Sequence, residues 1–387
     1  MLHPRREGQG GRRRRVLLLR FARARPLSSV RPRSIIDNER TVVTTRYDAL
    51  VIGGGQSGLA ASHHLTRRGH TVAVLEAGPE TVGSWPRYYD SLTLFSPARY
   101  SGLPGMSFGG APDRYPHRDE VADYLRRYAA RLDADVLCGR RVDTVTHDGE
   151  AFTAHTGAGE TFTATRLVAA TGSFDNPHLP ALPGADGFSG KLLHASDYRS
   201  PDEFAGQRVI VVGAGNSAVQ IATELATTAH VTLATRAPVK FLPQRPGGRD
   251  VHFWFQVTGF DRLPIGAYLN TPPTQPVLDT GRYRTALAAN RPDAAPMFTR
   301  LDGDNAVWPD GTRTKVDAII AATGYRPHLP YLTDLHALTD TGQPRHRRGV
   351  STTVARLGYL GLEWQRTPAS NSLRGVGRDA NWLARRL

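Results

Sequence analysis

Cysteine is almost missing from this sequence: Cys138 stands alone among 387 residues. One thiol can build neither a disulfide framework nor the Cys-x-x-Cys pair of a redox dithiol enzyme. The 14 histidines include no Cys/His set at ligand spacing, so a built-in zinc site is not expected. His63 and His64 are adjacent, but consecutive helical side chains point about 100° apart, which suits two solvated rings better than one metal. Long apolar runs are missing too. Nowhere do about 18 apolar residues follow one another, so no spanning helix is expected. Acidic residues are scarce in one place only: residues 1–46 hold 13 arginines against Glu7, Asp37 and Glu39. The rest of the chain carries 36 basic and 32 acidic residues, so the formal charge of +14 belongs mainly to the tail. The body lacks the basic stripe that nucleic acid requires, and no nucleic-acid partner is expected.

The tail segment GRRRRVLLLRFARARPLSS reads in two ways. It is Arg-rich and acid-poor, as targeting segments are. Only four apolar residues (16–19) precede Arg20, however, short of the roughly 7–15 in a secretory signal. The alternative is a disordered extension, residues 1–46, ahead of folded sequence that begins near Tyr47. A cytoplasmic location is the expectation.

What the chain does contain, twice, is a glycine loop. YDALVIGGGQSGLAASHHLTRRG reads strand, turn, helix, and HTVAVLEAG supplies the next strand. QRVIVVGAGNSAVQIATELATTA and HVTLATRAP repeat that order. Each copy later reaches an apolar run ending in a similar turn, RLVAATGS at Thr171-Gly172 and DAIIAATGY at Thr323-Gly324-Tyr325. Alternation of this kind predicts an α/β protein with parallel sheets. Its two Rossmann-like dinucleotide-binding domains would have the second inserted in the first. The expected boundaries are 47–175 with 325–387 for the first domain, and 176–324 for the Pro/Gly-rich linker NPHLPALPG plus the second. The chain would end in the helix-like RDANWLARRL.

A glycine loop between strand and helix brings backbone N–H groups and the helix N-terminus close to a pyrophosphate. Gly53 would make the tight turn, Gly55 admit the phosphates and Gly58 let helix pack on strand, with Gln56 and Ser57 opening the helix. Gly213, Gly215 and Ala218 take those places in the second copy, followed by Asn216 and Ser217. The residue ending the second strand separates the two ligands. Glu76 lies 23 residues after Gly53, where an acid accepts hydrogen bonds from ribose hydroxyls. Arg236 lies 23 residues after Gly213, where a cation suits the 2′-phosphate of NADPH. The first loop, with Thr171 and Gly172, is therefore expected to hold FAD. The second, with Thr323, Gly324 and Tyr325, is expected to hold NADPH.

Between the units lies FSGKLLHASDY, residues 188–198. Phe188-x-Gly190-x-x-x-His194-x-x-x-Tyr198 resembles the fingerprint of flavin-containing monooxygenases. The related Baeyer–Villiger fingerprint ends in Trp rather than Tyr. GSWPRYYDSLTLFSPARYSGLPG, ATGYRP and GLEWQRTPASNSLRGVGRDA also resemble bacterial members, over Tyr47 to the end. The resemblance implies reduction of FAD by NADPH, a C4a-hydroperoxide formed with O2, and oxygen transfer to a small organic substrate, N- or S-oxygenation being favoured. Such chemistry is the cofactor's, which agrees with the lack of a triad or carboxylate pair. The resemblance places Trp85 near FAD and Asn216 and Ser217 on NADPH phosphates. It assigns His194 to the junction between domains rather than to proton transfer. LFSPAR departs from the family, with Ser96-Pro97 where many members carry an Asn near the flavin. Other functions stay open: an NADPH oxidase or reductase without oxygenation, Baeyer–Villiger oxygenation, and a non-enzymatic flavin-bound regulator. GRDVHFWFQVTGF, residues 248–260, could be a substrate lid, a membrane-touching patch or buried packing.

Overall fold

The computed structural model describes residues 34–36, 43–269 and 273–387. The rest of the Arg-rich tail lies outside the described residues. Strand structure starts ahead of Tyr47: Ser34–Ile36 pairs antiparallel with the start of Val43–Ile52. Both segments are rich in β-branched residues, which favour extended backbone.

Val43–Ile52 is the centre of the first sheet. Parallel strands Val72–Leu75 and Asp135–Leu137 lie on one side of it, Thr161–Ala169 and Leu357–Tyr359 on the other. Strands buried on both faces read as continuous apolar runs, and residues 49–52 are such a run. Ala49, Val51, Val74 and Val168 pack beneath helices Gln56–Thr66 and Leu373–Leu383. Leu50, Ile52, Leu75 and Leu167 face Val145, Phe152, Tyr331 and Tyr359 on the other side.

The chain then leaves this sheet and builds a second one. Its five strands are all parallel, in the order Asp293–Pro296, His230–Thr235, Arg208–Val212, Ala318–Ala321 and Lys191–His194. Helix Asn216–Leu225 covers Val211, Leu233 and Ile320 on one face, while Phe298, Leu301 and Val316 cover Ile210 and Val212 on the other. Leu357–Tyr359 returns to the first sheet, so the second dinucleotide-binding fold is inserted in the first. The closing helix, Leu373–Leu383, begins before RDANWLARRL because Leu373 and Val376 supply its first buried turn.

Two local expectations change. His63 and His64 are half-buried rather than solvated, their rings 5.1 Å apart, and burial holds His64 down at about 4. No metal-holding cluster occurs among the described residues. In the 248–260 segment, helix Val251–Val257 buries only Val251 and His252, and Trp254 is 39% exposed, so core packing does not account for its aromatic rings. No helix among the described residues is long and apolar enough to cross a membrane.

Candidate active site

The first loop is crowded where it turns and open where a ligand would lie. Gly53 has φ +103°, its N–H donates to Leu75 O at 2.8 Å, and a Cβ there would sit 2.7 Å from Ala170 O. A Cβ on Gly58 would come within 1.8 Å of Gly53 O, the closeness with which helix Gln56–Thr66 packs on its strand. That helix starts at Gly55 with no side chain capping its first N–H groups, which leaves donors and the positive dipole end for an anion. Gln56 Nε2 donates to Asn371 O at 2.8 Å, and Ser57 is buried against Gly361. The C-terminal segment therefore seats on this helix.

Glu76 ends the neighbouring strand and is tied back to the loop. It accepts N–H bonds from Gly54 (2.5 Å to Oε2) and Gly78 (2.7 Å to Oε1). Each carboxylate oxygen keeps a second lone pair for a further donor. Glu76, Gly53, Thr171, Gly172, Arg140 and Tyr331 border a cavity of about 280 Å3. Thr171 and Tyr331 hydroxyls lie 3.2 Å apart there.

The second loop repeats the construction. Gly213 donates to Ala234 O at 3.1 Å, and a Cβ on it would meet Ala322 O at 2.5 Å. Gly215 starts helix Asn216–Leu225 without a side-chain cap, and nothing lies within 4 Å of where its Cβ would be. Ala218 is fully buried. The Asn216 side chain braces strand Val277–Asp279, accepting from Leu278 N–H (3.2 Å) and donating to Pro276 O (3.4 Å). Arg236 follows strand His230–Thr235, is exposed, and has no ion pair among the described residues. Across the same sheet edge, His178 is lowered by burial first and then by the charges of Arg326 and Arg236. Thr323 donates its hydroxyl to His178 O.

Both helix N-termini open onto one cleft of about 390 Å3. Gln56, Trp85, His194, Gly215, Asn216, Ser217, Gly324 and Tyr325 all line it. The fingerprint residues part company. His194 reaches the cleft, with Nε2 3.0 Å from Gly324 O and Nδ1 3.1 Å from Ser196 Oγ, and burial lowers its pKa. Tyr198 is buried and donates to Glu224 Oε2 at 3.0 Å, Phe188 packs against the second sheet, and Gly190 has room for no side chain beside Asp317 O. Ser96, where the family often has Asn, is buried in the cleft wall with its hydroxyl 2.9 Å from Ser101 Oγ.

Five further lining residues, Tyr88, Tyr89, Phe95, Glu363 and Arg374, lie in segments that resemble the family, but the sequence gives none of them a role of its own. Glu363 faces the open cleft but is surrounded by its walls, which push its carboxyl pKa up. The segment GLEWQRTPASNSLRGVGRDA stood out in sequence, but nothing local placed it at the cleft. Only the return of the chain does so.

Two glycine cradles, each with an uncapped helix N-terminus, fit two dinucleotides, and one carries an acid where the other carries a cation. The geometry defines a flavoprotein oxidoreductase that also binds a nicotinamide nucleotide. Residues 50–246 match the family described as pyridine nucleotide-disulphide oxidoreductase. The chain is 33% identical to a CzcO-like oxidoreductase of Geobacillus kaustophilus, over 87% of this chain and 97% of the relative. It is 30% identical to the indole-3-pyruvate monooxygenase YUCCA1 of Oryza sativa, covering 78% and 81%. The solved flavin-containing monooxygenase of Stenotrophomonas maltophilia superposes with a TM-score of 0.78 at 33% identity, covering 88% and 97%. The chain belongs to the pyridine nucleotide-disulphide oxidoreductase family and, within it, to the flavin-dependent monooxygenases, which use FAD and NADPH.

Proposed function

We propose that this protein uses NADPH and O2 to place one oxygen atom on a nucleophilic nitrogen or sulfur of a small organic substrate. The observation that carries the reading is the single cleft onto which both glycine-loop helices open. Gly53, Gly55, Gln56, Ser57 and Gly58 would hold the FAD pyrophosphate, Glu76 its ribose, and Thr171 and Gly172 the side of the same cavity. Gly213, Gly215, Asn216 and Ser217 would hold the NADPH pyrophosphate, with Arg236 on the 2′-phosphate. Thr323, Gly324 and Tyr325 would border the nicotinamide. Bound flavin supplies the redox chemistry, taking electrons from NADPH and passing them to O2.

The protein's part is placement and exclusion of water. Trp85, Tyr88, Tyr89 and Phe95 give the cleft an aromatic wall that limits wetting. His194 holds the Gly324 carbonyl and with it the turn between the two sheets, a positioning role with no proton transfer. Tyr198 in place of the Baeyer–Villiger Trp supports N- or S-oxygenation.

The test is the balance of NADPH against product. Purified FAD-loaded protein with NADPH, O2 and a panel of small sulfides and amines is followed by oxygen uptake and mass spectrometry. A product one oxygen heavier, formed in step with NADPH loss, is expected. NADPH oxidation that yields only hydrogen peroxide across the panel would establish the oxidase reading instead, and failure to retain FAD would remove both.

A further inference from the structure

A second cavity, of about 340 Å3, adjoins the cleft, and Arg374 belongs to the walls of both. Arg99, Tyr100, Gln256, Asp261 and Arg378 are among its other walls. Its charges do not balance. Asp261 is taken by Arg374, at 2.9 and 3.3 Å. Asp379, behind it, is taken by Arg366 at 2.7 Å and Ser370 at 2.5 Å. Arg99 is held by Asp113 at 2.8 Å. Arg378 is left over: half-buried, it lines the cavity with no ion pair among the described residues, and its enclosed Nη1 has no hydrogen-bond partner there either. Burial first, and the Arg262 charge next, push its pKa down, and the nearby carboxylates of Asp261 and Asp379, each already paired, offset this only in part.

A guanidinium that lines a cavity with no ion partner of its own suits an anion there. One unmatched positive charge calls for one negative charge. A planar carboxylate matches the fork of Arg378, whereas a phosphate dianion carries twice the charge that one guanidinium neutralises. We propose that this cavity is a carboxylate subsite, in which Arg378 binds the carboxylate of a substrate whose apolar body lies in the adjoining cleft. That the carboxylate belongs to a substrate rests on the oxygenase reading; that the cavity binds it does not.

The experiment is calorimetric titration of the oxidised FAD-loaded protein, without NADPH, with (phenylthio)acetate, its neutral amide and inorganic phosphate. The acid should bind about tenfold or more tightly than the amide, the range of a charge-assisted contact, and phosphate should bind more weakly than the acid. Arg378→Gln should remove that preference while FAD content and flavin reduction by NADPH stay as in the parent. Equal binding of acid and amide, no binding of the acid, or stronger binding of phosphate would each overturn the assignment. So would an Arg378→Gln protein that binds the acid as before. The acid–amide comparison needs only the parent protein, so a variant that fails to fold does not remove the test. Because no turnover is involved, a failed oxygenase reading and a failed subsite give different results: the first leaves the acid bound but never oxygenated.

Discussion

Replacing Arg236 by alanine isolates one charge at one place. Arg236 follows the strand that receives the Gly213 hydrogen bond, so its side chain starts beside the second glycine loop. It is exposed and has no ion pair among the described residues, so its removal should leave the melting temperature unchanged. A bidentate contact from guanidinium to phosphate contributes on the order of 1.5–3 kcal/mol, roughly a 10- to 150-fold effect. Exposure to solvent and salt moves the expectation toward the lower end, about tenfold, because screening weakens an open charge pair. Steady-state kcat/KM for NADPH and NADH, measured at low and high salt, is the assay. Wild type should prefer NADPH. Arg236→Ala should lose about tenfold with NADPH and little with NADH, and the loss should shrink as salt rises. FAD content should not change, since Glu76 and its loop belong to the other sheet. Equal use of both nucleotides by wild type, an equal loss with both in the variant, or loss of FAD would refute the assignment of the second loop.

Glu76→Ala should lower the ratio of flavin to protein absorbance while leaving nicotinamide preference alone, because it removes both the ribose acceptor and the brace on Gly54 and Gly78; unchanged flavin retention would count against its role. Gly58→Ala puts a Cβ where Gly53 O already lies 1.8 Å away, so helix and strand must part. A loss of about 1–3 kcal/mol is expected for such overpacking, read by urea unfolding and accompanied by poorer FAD binding, and a variant as stable as wild type would contradict the tight packing. Burial alone would raise Asp250, but hydrogen bonds from His252, Tyr115 and Gln244 outweigh it and hold the carboxyl at about 2. A lowered folded-state pKa stabilises above the unfolded value of about 3.9 and loses that effect as pH falls toward 2. Asp250→Asn should therefore be less stable than wild type at pH 7, with the gap narrowing between pH 4 and pH 3; a gap that ignores pH would rule this linkage out.

Both glycine loops were legible locally, since the turn, the packing of helix on strand and the acid or cation ending the next strand all lie within one short stretch of chain. The repeat also implied two parallel sheets, one inserted in the other, because strand–helix alternation has few other ways to bury its apolar runs. The other half of the cleft was decided only in three dimensions. His194 bonds Gly324 from 130 residues away, and Gln56 bonds Asn371 across 315. No spacing rule spans such distances. Glu363, Arg374 and Arg378 follow no loop motif, and they reach the cleft and its side cavity because the last strand rejoins the first sheet and carries helix Leu373–Leu383 with it. The unmatched charge of Arg378 is also a tertiary fact: a sequence counts arginines and carboxylates, but only packing decides which carboxylates have already been taken.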